Sequence, residues 1–188
     1  MKAAVNVNNM TEAEYIAFEE KAQDRHEMVN GKLYTMAGAS RKHNLICQLI
    51  TMALLRLLKG QNFLAFQENM KVQITNEKDY AYPDVVVTFD EEDISSPNNE
   101  YIFRKPIFIV EVLSPSTRVY DKTDKFIQYR KIESLKYYLL VDSEKVFVEC
   151  MAKNTEGVWE SEIYTQITEK VILSELNIEI PLSDIYPQ

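Results

Sequence analysis

The sequence predicts an α/β or α+β fold, in which a mixed β-sheet is flanked by helices. Residues 45–58 carry apolar side chains at helical spacing, whereas residues 82–89 and 107–113 are nearly continuous runs of Val, Ile and Phe. Such runs are typical of central strands whose two faces are both covered. A second helical pattern at residues 120–132 follows the last run, so we expect the chain to cross back over the sheet.

Length and composition favour one soluble domain. A chain of 188 residues is long enough for one real core and too short for two, so we expect residues 1–188 to form a single domain. No stretch approaches the roughly 20 apolar residues of a membrane-spanning helix, and we expect no membrane partner. The first residues lack the apolar core of a secretory signal, which predicts a cytoplasmic location. Cys47 and Cys150 are interpreted as core thiols, because neither belongs to a Cys-x-x-Cys pair.

The charge balance limits how the chain could bind nucleic acid. A formal net charge of -8 argues against a protein that coats DNA through bulk electrostatics, so any DNA contact must be local. Basic residues gather at positions 41–42 and 118–131. Solvated helix faces are the simpler interpretation of both clusters.

The N-terminal half reads as helix, hairpin, helix. Residues 1–10 are expected to be flexible or loosely packed, and Thr11 with Glu14 has the form of a capping box that opens a helix to about residue 21. Two β-prone runs within residues 25–36 surround Asn30-Gly31, the strongest short hairpin signal. A long helix is then predicted from Ser40 as N-cap to Gly60 as C-cap.

The remainder reads mainly as strands. We predict strands at residues 63–74, 82–89 and 107–113, with a surface loop at 90–99. After the helix at 120–132, strands at 137–141 and 146–151 form a hairpin. Short strands at 158–159, 162–164 and 178–180 end the pattern.

Two carboxylates stand inside the apolar runs. Asp84 precedes Val85-Val86-Val87, and Glu111 lies between Val110 and Val112. An unpaired carboxylate buried among such residues costs several kcal/mol, so two of them on adjacent strands predict one shared cation. Two oxygen ligands, completed by water and a main-chain carbonyl such as that of Val112, would suit Mg²⁺ or Mn²⁺.

A simpler interpretation remains open for each acid. Asp84 could merely open a strand after Pro83, and Glu111 could pair with Arg104 or Lys105. Glu111 is harder to explain in this way, because four apolar residues precede it and two follow it.

Several ordered motifs across roughly residues 10–187 resemble the Uma-two family of endonucleases. They are Arg25-His26-Glu27 with Val29-Asn30-Gly31, residues 36–40 with His43, residues 82–87, residues 109–117, Tyr120-Asp121 with Lys125 and Tyr129, and residues 138–142. The resemblance implies a restriction-endonuclease-like core of the PD-(D/E)xK type.

The same resemblance implies the catalytic residues. Asp84 and Glu111 would be metal ligands, with Glu27 as a further acid at the cleft. Where the superfamily commonly has lysine, two residues after Glu111, this chain has Leu113. The matching candidate is Lys125, one helix onward, which could orient the attacking water or stabilise the charge on the phosphorane.

The roles assigned to Lys125 and Glu27 also have simpler alternatives. Lys125 could form an ordinary surface helix pair with Asp121, four residues earlier, and Lys71 is the main rival lysine. Glu27 could pair with Arg25 or Lys32 across its hairpin.

The candidates for substrate contact are His43, Ser114, Arg118 and Lys122. His43 is expected in the first turn of the long helix, where it could contact phosphate or a metal-bound water, although a lone histidine is more often structural. Ser114 directly follows the strand of Glu111 and could donate to a phosphate, or could belong to an ordinary proline-containing turn.

The leading hypothesis is a Mg²⁺- or Mn²⁺-dependent deoxyribonuclease. The alternative is a catalytically inactive nucleic-acid or anion-binding module of the same fold, motivated by Leu113 and by the acidic net charge. We also expect a homodimer, which the family type implies and which Trp159 and Ile163 in the β-rich C-terminal part favour, because they exceed what one small core can bury.

Overall fold

Residues 5–7, 10–29, 32–36, 38–75, 79–95, 101–115 and 117–187 are described by the computed structural model. The helices are α1 (Glu12–Glu19), α2 (Arg41–Leu57), α3 (Glu91–Ser95), α4 (Arg118–Tyr120), α5 (Phe126–Tyr129) and α6 (Leu182–Ile185), with a π-helical segment, Asp121–Lys125, joining α4 to α5. The strands are β1 (Val5–Asn6), β2 (His26–Val29), β3 (Lys32–Thr35), β4 (Leu64–Gln67), β5 (Lys71–Thr75), β6 (Asp79–Ala81), β7 (Val85–Thr88), β8 (Ile102–Phe103), β9 (Phe108–Leu113), β10 (Tyr137–Asp142), β11 (Val148–Lys153), β12 (Trp159–Tyr164), β13 (Lys170–Leu173) and β14 (Ile178–Pro181). A 3₁₀ turn spans Ser174–Leu176.

The strands form two mixed sheets and a hairpin. One sheet has the order β1-β3-β2-β6-β5-β8 and the other β12-β11-β10-β9-β7-β4, while β13 pairs with β14. In the second sheet β9 and β10 run parallel and their neighbours run antiparallel. The chain crosses from β9 to β10 through α4, the π-helical segment and α5, so the predicted mixed sheet flanked by helices, with its crossover, is confirmed.

The second sheet is covered on both faces, as the apolar runs predicted. Alternate residues of β7, β9 and β10, such as Val85, Val110 and Leu139, pack in one core with α2 and α6. The intervening residues, such as Ile109 and Leu140, pack in a second core with α5. Strands β7 and β9 are therefore central, with side chains buried in both directions.

The predicted helix starts are also confirmed. The Thr11 hydroxyl accepts from the Glu14 backbone N–H, and the Glu14 carboxylate accepts from the Thr11 backbone N–H. The Ser40 hydroxyl accepts from the backbone N–H of His43 at 3.2 Å and caps α2. Helix α2 ends earlier than predicted, with Leu58 as its C-cap, and Gly60 follows in the left-handed region at φ +86°.

The hairpin strands β2 and β3 pair antiparallel as predicted, with Val29 opposite Lys32. Their turn, Asn30-Gly31, lies outside the described residues. At the N-terminus, Val5 and Asn6 pair with Leu33 and Lys32 as strand β1, within the segment that was expected to be flexible or loosely packed.

Two predicted strands were wrong in extent. Residues 63–74 form β4 and β5 in different sheets, because Glu68 and Asn69 between them adopt left-handed φ values of 49° and 58°. The strand predicted at residues 82–89 is observed only as β7, Val85–Thr88; residues 82–84 before it lie outside strand geometry, and Pro83 among them has no backbone N–H to donate.

Smaller differences concern the exposed segments. The loop predicted at residues 90–99 contains α3 within its described part. The strands predicted at 158–159 and 162–164 are one strand, β12, and β13 was missed. Among the described helices, none is long and apolar enough to cross a bilayer.

Candidate active site

A cavity of about 450 Å³ opens where the two sheets meet. Its lining includes side chains from β2, the chain before β7, β9, the first turn of α2 and the π-helical segment. These are Glu27, Asp84, Glu111, His43, Asp121 and Lys125. The switch of the chain from β6 to β7 brings the two sheets together at this point.

Lys125 lies at the centre of the buried part of the cleft. Its Nζ is 2.9 Å from Oε1 of Glu111 and 2.9 Å from Oε1 of Glu27. It also donates to the backbone carbonyl of Tyr82 at 3.3 Å. The Tyr129 hydroxyl donates to the same Glu111 oxygen at 3.0 Å. One ammonium therefore links strands of both sheets to the crossover helix.

Glu27 is held by two further contacts. Its Oε1 accepts from the Tyr82 backbone N–H at 3.1 Å, and its Oε2 accepts from the Tyr120 hydroxyl at 3.2 Å. The side chain is buried, so these bonds replace the water that the carboxylate loses.

The π-helical segment places Asp121 beside Lys125. Both side chains are buried, and Asp121 Oδ1 lies 3.9 Å from the Lys125 Nζ. A single wide turn of this kind inside a helix often occurs at a functional site. The pair is thus not the solvated surface pair considered from the sequence.

Asp84 lies at the mouth of the cleft, just before β7. Continuing the register in which Val85 pairs with Val110 sets Asp84 opposite Glu111. One Asp84 oxygen, Oδ2, accepts from the Val112 backbone N–H at 2.7 Å, and the other, Oδ1, lies 3.1 Å from His43 Nε2. Each carboxylate oxygen has two lone pairs, so both can accept a further ligand.

The buried charges do not balance. Glu27, Glu111 and Asp121 place three buried carboxylates around the one ammonium of Lys125. Burial alone lowers the pKa of the Lys125 amine, but the charges of Glu111 and Glu27 outweigh it and hold that pKa well above its ordinary value. Burial raises the pKa of the Glu111 carboxyl well above its usual range, and Lys125 opposes the rise only in part. A divalent cation would relieve this excess of negative charge.

The carboxylate of Asp84 also shifts the pKa of His43. Burial lowers the pKa of its imidazole, yet the hydrogen bond and charge of Asp84 more than offset this, and the net pKa is raised. Its Nδ1 is a buried atom that makes no hydrogen bond within the described structure.

Comparisons with known proteins identify the family of this chain. The sequence model of the Uma2 family, described as "Putative restriction endonuclease", matches residues 12–183. The chain belongs to the Uma2 family. This confirms the resemblance seen in the sequence motifs.

Relatives of this Uma2 chain cover most of its length. "Uncharacterized protein slr1290" from Synechocystis sp. (strain ATCC 27184 / PCC 6803 / Kazusa) is 34% identical over 173 residues, covering 92% of this chain and 89% of the relative. "Uncharacterized protein sll1609" of the same organism is 32% identical over 159 residues, covering 85% and 89%.

A solved structure shares the fold. The crystal structure of a "putative nuclease belonging to DUF820" from Anabaena variabilis ATCC 29413 superposes with a TM-score of 0.77 at 18% identity, over 94% of this chain and 97% of that one. At that identity the likeness concerns the fold alone, and it agrees with the mixed α/β architecture expected from the sequence.

The remaining sequence candidates occupy different places in the Uma2 chain. Ser114 and Val112 line the cleft, and the Ser114 hydroxyl is 3.0 Å from that of Thr117. Arg118 and Lys122 are not among the lining residues. Arg118 pairs with Asp142 at 2.6 Å and Lys122 with Glu149 at 2.9 Å, because both side chains turn toward β10 and β11. Their assignment to substrate contact stays a prediction.

The alternative partners considered from the sequence lie elsewhere. Arg104 pairs with Glu12, and Lys105 pairs with acids of residues 90–92, so neither neutralises Glu111. Lys71 is buried with its Nζ 5.7 Å from the ring centres of Tyr15 and Tyr82, and it is not among the lining residues.

Sequence reasoning missed two residues at the cleft. Glu68 and Asn69 line it in consecutive left-handed conformations, and the Glu68 backbone N–H donates to the Asp84 carbonyl at 3.1 Å. Such a conformation costs energy for residues with a Cβ and occurs often at functional sites. Only Asn69, which tolerates positive φ better than most residues, offered a signal.

Proposed function

We propose that this protein is a metal-dependent endonuclease that hydrolyses DNA phosphodiester bonds. The observation that carries the proposal is the Lys125 ammonium held 2.9 Å from both Glu27 and Glu111, in a cleft that Asp84 also lines. Two acids that can hold a metal, with a lysine beside them, are groups that can catalyse phosphodiester hydrolysis. The Uma2 family description supports the nuclease class.

Asp84 and Glu111 would hold the ion. Their oxygens are ligands that Mg²⁺ and Mn²⁺ prefer, and the excess of buried carboxylates over the Lys125 ammonium fits a divalent cation. The Val112 N–H fixes the orientation of Asp84, whereas the Val112 carbonyl proposed from the sequence remains an untested ligand. When bound, such an ion supplies Lewis-acid polarisation of a phosphoryl oxygen and lowers the pKa of water.

Lys125 would stabilise the transition state or orient the attacking water. The Glu27 and Glu111 carboxylates and the Tyr82 carbonyl hold its ammonium in the cleft and accept its three N–H groups, so a metal ion that Glu111 binds would free one N–H for substrate or water. The raised pKa keeps the charge in place at neutral pH. Such a fixed cation can orient the attacking water or stabilise the charge on the phosphorane.

DNA would contact only the rim of this cleft. Arg25, Asn44 and Ser114 line it, Arg25 and Asn44 are exposed, and the net charge of -8 disfavours wider contact. A cytoplasmic location is part of the proposal, because Cys47 and Cys150 are both free thiols, as in proteins of reducing compartments.

Removal of the metal should abolish activity. We expect purified protein to nick supercoiled plasmid DNA with Mn²⁺ or Mg²⁺ and to stop when EDTA is added, because Lys125 alone cannot replace the ion. Gel analysis of the plasmid forms measures this. Cleavage that persists in EDTA, or none with either ion, would refute the proposal.

The second candidate is a non-catalytic module that binds nucleic acid or another anion. It is favoured by the ion pairs within the cleft, because Lys125 already pairs with Glu27 and Glu111, and Asp84 already pairs with His43. Calorimetry with Mn²⁺ and titration of fluorescent DNA discriminate between the two. DNA binding without heat from Mn²⁺ favours the module.

A homodimer is also proposed. Strand β12 lies at one edge of its sheet. Ile163 within this strand and Val158 just before it are both about half exposed. Unpaired backbone groups on such an edge can pair with a second copy. Light scattering at micromolar concentration should give the mass of two chains, and the mass of one chain would contradict the proposal.

A further inference from the structure

A second group of metal-binding side chains lies beside Asp84, on its α2 side. His43 and Cys47 are one helical turn apart on α2, and one ligand atom of each lies within 4.8 Å of the other and of an Asp84 carboxylate oxygen. Imidazole, thiol and carboxylate are the donor set that Zn²⁺ takes, whereas Mg²⁺ takes oxygen. The two sites would share Asp84 and differ in the rest of their ligands.

The state of these side chains also indicates a ligand. The His43 side chain is about nine-tenths buried, and its Nδ1 makes no hydrogen bond within the described structure, which is costly for a polar atom. Cys47 is fully buried in the apolar core, but it lies next to His43 and Asp84, which both line the cleft. An ion that enters the cleft can therefore reach it by passing His43 and Asp84.

The distances between the three ligand atoms fit a zinc site after a small movement of the side chains. Atoms bound to a tetrahedral Zn²⁺ at about 2.0–2.3 Å lie about 3.3–3.8 Å from one another. The separations here are at most 4.8 Å, so side-chain shifts of about 1 Å would close the site. Three protein ligands would leave the fourth position to water from the cleft.

We propose that His43, Cys47 and Asp84 form a site for Zn²⁺ or a similar soft divalent ion, and that this ion inhibits the endonuclease by occupying Asp84. Binding releases the thiol proton of Cys47 to solvent, and the resulting thiolate is stabilised by the ion. The inhibition rests on the proposed function, whereas the binding does not.

Cobalt(II) substitution tests the binding directly. Metal-free protein titrated with Co²⁺ under argon should develop a thiolate-to-cobalt charge-transfer band that saturates at one ion per chain and disappears when Zn²⁺ is added. Cys47→Ser should lose the band, and its affinity for Zn²⁺ should fall at least about 10-fold. Cys150→Ser, which alters the other buried thiol, should keep both.

The outcomes separate the two proposals. No band in the wild-type protein, or a band that survives Cys47→Ser, overturns the soft-metal site. If Cys47→Ser does not fold, X-ray absorption at the zinc edge of the wild-type protein decides, because the site requires one sulfur ligand. A protein that shows the band but never cuts DNA refutes the endonuclease alone. In a protein that does cut DNA, Zn²⁺ should suppress Mn²⁺-supported cleavage, and Cys47→Ser should relieve that suppression.

Discussion

Lys125→Met should lower the rate of DNA cleavage by about 10²–10³-fold, the usual loss when one preorganised electrostatic donor is removed. It should also lower the free energy of unfolding by about 3–5 kcal/mol, because two buried carboxylates, Glu27 and Glu111, lose their cation. Single-turnover plasmid cleavage measures the first effect and urea denaturation the second.

Two further variants separate charge from packing. Adding Glu111→Gln to Lys125→Met removes one of the two buried carboxylates that have lost their cation. Part of the lost free energy of unfolding should therefore return, while cleavage stays low. Lys71→Met alters another buried lysine that does not line the cleft, and it should cut DNA at close to the wild-type rate. If Lys125→Met cuts as fast as the wild type, Lys125 has no part in the reaction.

Asp84→Asn and Glu111→Gln should each remove the heat of Mn²⁺ binding and lower cleavage at least about 100-fold. The amides keep the shape of the side chains but lose the charge that holds a divalent cation. Isothermal calorimetry on the metal-free protein measures binding, and plasmid cleavage at saturating Mn²⁺ measures activity.

The matched control for these variants is Asp184→Asn. Asp184 in α6 pairs with Arg56 in the last turn of α2, and neither residue lines the cleft, so its loss should leave both Mn²⁺ binding and cleavage unchanged. Mn²⁺ heat that survives in both cleft variants would show that the two acids are not the ligands.

The sequence predicted those elements whose signals are local. Helix α2 follows from apolar spacing and the Ser40 cap, and the central strands β7 and β9 follow from their apolar runs. The breaks at residues 68–69 and at Pro83 were missed, because an apolar strand reads alike whichever sheet it joins. The choice of sheet depends on long-range pairing, which the local pattern does not contain.

The site was predictable in proportion to how unusual each residue is in its surroundings. Glu111 was conspicuous as a charge in an apolar strand, whereas Lys125 was identified only through family resemblance. Its burial beside Asp121 depends on a π-helical turn that has no clear sequence signal. His43 and Cys47 did carry a signal, since their spacing of four residues puts both on one face of a predicted helix.

The most direct measurement is the anomalous difference density of a crystal soaked in Mn²⁺. We predict a peak between the carboxylates of Asp84 and Glu111, within about 2.0–2.5 Å of an oxygen from each, with Lys125 still in the cleft. A soaked crystal without density between these two acids, or with Mn²⁺ bound only elsewhere, would contradict the proposal that they hold the metal of an endonuclease.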